Sequence, residues 1–251
     1  MDVRVGCRLK RKLFIFFMMF ILLIPLVYQN IEAGENDLNL IDVPKTYTSY
    51  RGDMHFGFTM YDDGGVIGSA ILSISDFAFL GVYFDIGNII GSQALEWNQP
   101  GVIARFLISD GAGTIPRIAI GYSYFMKGGI SKINGVLVNG LYAVASQQYF
   151  LFGNQQTIFY GLRYPIIPLD YSRPENTSLF IGTDIILSPQ FSIKGEIENF
   201  YLNQKRWDEV YYNFAFSVNI VDMISLSLEF KYSPHIDRFI RLLSIGYITQ
   251  F

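Results

Sequence analysis

Few residues in this chain have the chemistry for catalysis. His55 and His235 are the only imidazoles, and Cys7 is the only thiol. Acid–base catalysis near neutral pH most often runs through histidine, so a hydrolytic site would have to use one of two positions. Asp62, Asp63, His235 and Asp237 could share one rim of a fold whose ends meet, but charged loops in water account for them far better. Asp62-Asp63-Gly64-Gly65 has the composition of a calcium loop, and a tight turn between strands asks for the same residues. No catalytic residue, cofactor or metal ligand is therefore assigned, and an enzyme is not expected. More informative is a set of charges recurring on one side of alternating segments. The acids are Asp85, Asp184, Glu196, Glu198 and Glu229; the bases are Arg105, Arg117, Arg163, Lys194 and Lys231.

Strands must position those charges, because the pattern around them has period two. Alternating segments cover 54–61, 66–74, 79–86, 101–108, 117–125, 141–151, 157–164, 178–187, 191–198, 211–220, 224–232 and 239–251. The clearest is ISLSLEFKY, where Ile224, Leu226, Leu228 and Phe230 oppose Ser225, Ser227, Glu229 and Lys231. Prolines after residue 33 fall in a leader, in connections or at strand starts, as strands require.

The N-terminus reads as an export signal. Five bases precede an uncharged apolar run from Leu13 to Val27, shorter than the roughly 20 residues of a spanning helix. Cleavage is expected after Ala33, which removes Cys7 with the leader and leaves no disulfide, thiol nucleophile or thiolate metal site. Of 19 bases and 22 acids the first 33 residues hold five and two, which leaves 14 and 20 and a net charge of −6. No basic run survives, so a nucleic-acid partner is not expected.

The chain is 51% hydrophobic and 16% aromatic, and no apolar stretch after Val27 is long enough for a spanning helix. Such a chain can bury its apolar faces in a soluble β-sandwich or turn them outward into lipid. In a bilayer only helices and closed barrels satisfy every backbone group. Loop lengths favour the barrel. The odd connections (62–65, 88–100, 126–140, 165–177, 199–210, 233–238) are long after the first. The even ones (75–78, 109–116, 152–156, 188–190, 221–223) are shorter apart from 109–116, as expected of outer loops and periplasmic turns. Aromatics near strand ends (Tyr61, Tyr122, Tyr124, Tyr164, Tyr212, Tyr232, Tyr247, Phe251) suit interfacial girdles.

The expected fold is all-β: a transmembrane antiparallel up-and-down β-barrel of about 12 strands. The layout is a signal peptide over 1–33, a leader over 34–51 and the barrel over 52–251. The ten charges would then line the lumen. They either pair across it or flank a path for small solutes, and the alternation leaves both open. Small inward residues (Gly57, Ser69, Gly81, Gly121, Gly161, Gly182, Ser217, Ser225, Ser227, Gly246) would leave room in that lumen.

The last thirteen residues, FIRLLSIGYITQF, resemble the C-terminal strand of bacterial outer-membrane barrels, which ends on Phe with an aromatic residue four positions earlier. The resemblance implies that Tyr247 and Phe251 form a signal read by the barrel-assembly machinery, and that the strand closes on the first one. Twelve-stranded outer-membrane phospholipases carry a His-x-Ser-Asn-Gly motif that is absent here: His55 is followed by Phe-Gly-Phe and His235 by Ile-Asp-Arg. The stretch LIDVPKT…MYDDGGVIGSAILSISDFAFLGVYFDIGNIIGS, with QPGVIARFLI and IPRIAIGYSYF, is similar to the YjbH-type outer-membrane family associated with exopolysaccharide. That likeness covers residues 40–124 and implies a barrel engaged with polysaccharide, without site residues. The sum is an outer-membrane barrel, porin-like, passing small solutes or polysaccharide, or else a non-conducting structural barrel. Its expected partners are membrane lipid and the assembly machinery.

Overall fold

Each alternating segment becomes a strand because its apolar side chains can all leave by one face of the pleat. The computed structural model describes residues 37–62, 64–112, 115–124, 140–151, 153–166, 176–201, 210–221, 223–234 and 238–250. The strands are β1 (Asp53–Tyr61), β2 (Gly65–Ser75), β3 (Ala78–Gly87), β4 (Glu96–Trp97), β5 (Gly101–Ser109), β6 (Arg117–Tyr124) and β7 (Gly140–Leu151). They continue as β8 (Asn154–Tyr164), β9 (Ser178–Ile186), β10 (Phe191–Tyr201), β11 (Tyr211–Val221), β12 (Ile224–Ser233) and β13 (Arg238–Gln250). β4 is a two-residue rider on the end of β3, through Ile86↔Trp97. The other twelve pair in order, and β1 meets β13 from Asp53↔Gln250 to Tyr61↔Leu242, which closes the wall. Closure removes the free edges that an open sheet would expose to lipid.

The molecule is apolar outside and charged inside. Leu228 is 43% exposed while its neighbour Ser227 is 6%. Phe58, Leu80, Phe106, Leu162, Phe216 and Ile245 likewise stand on the outer face. Glu196, Glu198, Lys194 and Lys231 are buried toward the lumen. A water-soluble sandwich would show the reverse, so the outer surface is built for lipid. Cross-strand aromatic pairs run along it: Phe214 stacks on Phe230 at 4.8 Å and Tyr232 lies against Phe239 at 5.0 Å.

Three details depart from the sequence reading. β8 begins at Asn154, because Phe150↔Gln155 and Leu151↔Asn154 extend the ladder and Gly153 takes the positive φ of the turn. β10 runs on to Tyr201 through a bulge between Ile197 and Phe200, where Asn199 adopts φ 58°. Tyr61 does not join an interfacial girdle; it points inward, with its hydroxyl 2.8 Å from Asp85 Oδ1. The expected signal segment, Asp63, His235, Asp237 and Phe251 lie outside the described residues.

Candidate functional site

The lumen is occupied by the chain's own leader. Residues 37–50, read from sequence as an irregular approach to β1, enter at the end of the barrel that carries the short turns. They reverse at Ile41-Asp42 and return to β1 at the same end. Leu40 N donates to Val43 O at 3.0 Å, and Asn39 bridges Pro44, so the segment is a small hairpin. Its apolar side chains Leu38, Leu40 and Val43 are all buried. Leu40 and Val43 pack with Ala119, Tyr142, Val144, Phe159 and Phe180, while Leu38 packs with Ile71, Phe79 and Ile103. The wall therefore has an apolar strip inside as well as charges. The room promised by small inward residues is filled: a Cβ on Gly182 would come within 2.3 Å of Leu40 Cδ1.

The wall charges act mainly on this hairpin. Lys45 Nζ sits 2.7 Å from Asp184 Oδ2. Lys231 pairs with Asp42, and Lys194 pairs with Asp37, which also accepts from Ser225 Oγ at 3.1 Å. Arg105 donates to the carbonyl oxygens of Leu38 (2.7 Å) and Tyr47 (3.0 Å) and to Asn39 Oδ1 (2.8 Å). Its remaining Nε donates to Tyr142 Oη at 3.0 Å, and its plane lies over the Phe79 ring at 4.8 Å. Such a cation is tolerable only because its donors are satisfied.

The hairpin tip forms an anion nest around Glu196. Ile41 N and Val43 N donate to Oε2 at 3.1 and 3.0 Å, and Asp42 N donates to Oε1 at 2.9 Å. Successive N–H groups converging on one carboxylate make charge-assisted bonds, about twice as strong as neutral ones. Asn213 Nδ2 holds the same Oε1 at 2.7 Å from β11. Beside it Glu198 pairs with Arg163 at 3.5 Å, and Arg163 also donates to Asp42 O at 3.2 Å. Asp42, Glu196 and Glu198 are close enough to share a divalent cation. Their oxygens are instead taken by Lys231, four N–H donors and Arg163, so the donor set does not fit a metal.

The remaining sequence candidates sit apart. Asp85 serves Tyr61 and, at 2.9 Å, Asn98 Nδ2. Glu229 accepts from Ser244 Oγ at 2.7 Å within the wall. Arg117 stands at the short-turn mouth, 3.4 Å from Asp110 and over the Tyr47 ring. Tyr247 lies on the outer face against Phe56, ring centroids 6.5 Å apart. His55 is buried against Ser49, fastening the base of the hairpin to β1. Sequence reasoning missed the hairpin partners Asp37, Asp42, Lys45 and Thr46. The one signal was the spacing of Leu38, Leu40 and Val43 among acids, which is too short to establish a period.

No family model and no curated protein sequence matches the chain. Among solved structures it is similar to a KdgM porin: 11% identity, TM-score 0.53, covering 78% of this chain and 98% of that one. It is also similar to a KdgM porin in complex with disordered oligogalacturonate, at 12% identity and TM-score 0.50, over 79% of this chain and 99% of that one. At this identity the likeness is one of fold alone: a closed antiparallel β-barrel matching those of outer-membrane porins.

Proposed function

We propose that this barrel is a narrow outer-membrane channel for small polar solutes, its lumen closed by its own leader. The observation that carries the reading is how the lumen is filled. The wall-to-wall contacts named above join strands that are neighbours or next but one, such as Tyr61–Asp85, Arg105–Tyr142 and Arg163–Glu198. The far walls are linked through residues 37–50, with Arg105 on one side of the hairpin and Lys231 on the other. With that segment absent, a bore lined by charges and by an apolar strip would run the height of the barrel. The neighbouring structure's oligogalacturonate and the likeness of residues 40–124 to an exopolysaccharide-associated family both make a saccharide chain the second solute class to try. The membrane lipid and the assembly machinery that would read Phe251 are partners of the same proposal.

A second reading, a permanently filled structural barrel, is favoured by the apolar seal around Val43, which has no exposed surface. Swelling of liposomes carrying the intact protein, with a variant that lacks residues 37–49 beside it, separates the two. The channel reading expects uptake of small sugars that falls with solute size. Uptake through the variant alone, with none through the folded, heat-modifiable intact protein, would leave the structural reading.

A further inference from the structure

We propose that residues 37–50 are a reversible plug, latched at the tip by Glu196 and hinged at Gly52. The inference rests on the channel reading of the wall and deepens it by naming the gate. Both arms of the hairpin point to the short-turn end, so it can withdraw that way without unthreading. Its base is tied there by Thr48 Oγ1 to Asp76 O at 2.8 Å and Arg51 N to Asp76 Oδ1 at 2.8 Å. Gly52, with φ 91°, joins it to β1 in a conformation that residues with a side chain rarely adopt. Beyond the base, the hairpin is held by side-chain contacts and by the three N–H bonds to Glu196, with no ladder to the wall. Its withdrawal therefore breaks no strand pairing, whereas loss of any wall strand would open the barrel.

The latch follows from charge. Glu196 is the acceptor for three tip N–H groups, and a neutral amide offers one oxygen and a clashing NH₂ in its place. Lys231, two strands along the wall on β12, holds Asp42. Weakening either releases the tip, and the rest follows through the hinge.

The test uses the full chain with Cys7→Ser. Thr46 Oγ1 and Ser146 Oγ lie 2.6 Å apart, so Thr46→Cys with Ser146→Cys can fasten the hairpin to β7 by a disulfide. In planar bilayers the oxidised protein is expected to be silent and the reduced protein to gate. Glu196→Gln added to the reduced form should raise open probability at least tenfold. Heat-modifiable migration shows that each variant is folded. Equal currents before and after reduction would overturn the plug. Silence of reduced Glu196→Gln, while the variant lacking 37–49 conducts, would overturn release and leave the channel wall standing. Silence of that deletion as well would overturn the channel reading itself.

Discussion

Lys231 shows how the buried charges were half readable. Its inward direction follows from alternation with Phe230 and Tyr232, and the same holds for Lys194, Glu196 and Glu229. Its partner Asp42 does not, because it lies 189 residues away in a segment with no period. Pairing of this kind is made by closure and threading, neither of which a local window contains. Removing the base leaves a carboxylate in the lumen with its main counter-charge gone. Lys231→Met is therefore expected to destabilise the filled state by about 3–5 kcal/mol, the usual cost of breaking a buried pair from one side. A lowered unfolding temperature in detergent, partly restored by adding Asp42→Asn, checks this. If Lys231→Met alone melts like the parent, the pair is idle.

Among the elements, strands were legible and the hairpin was not. Most of the twelve segments repeat at period two for long enough that apolar and polar faces separate, 141–151 only weakly, and their ends needed correction by only a few residues. LNLIDVPKT mixes apolar and acidic residues over a single turn, and its structure comes from the wall around it. The two faces of β12 give a direct check. Leu228→Arg places a cation on the lipid face and is expected to cost about 2–4 kcal/mol near the midplane. Refolding into bilayers of defined thickness should show a larger loss than for an exposed loop change such as Gln93→Arg. Gly140 gives a second. It takes φ 152°, and a Cβ there would stand 2.0 Å from Tyr164 O. Gly140→Ala should loosen the start of β7 by about 1–3 kcal/mol, read as earlier thermal unfolding. An unchanged midpoint would mean that the β7–β8 register is not fixed at this end.

For the whole molecule, composition and loop lengths pointed to a barrel, and closure of β1 on β13 completes it. State of the lumen was beyond the sequence. Small and charged inward residues fit an open path or a packed interior alike, and only the position of 37–50 decides. Cysteine scanning of residues 224–232 in reconstituted Cys7→Ser protein reads both faces and the filling at once. Even positions should be quenched by lipid-borne probes and be silent to aqueous thiol reagents. Odd positions should be silent to lipid-borne probes and react only slowly from water until residues 37–49 are deleted, and then react fast. Odd positions that react from water at the same rate with the hairpin present would contradict a filled lumen, and even positions that do so would contradict the barrel.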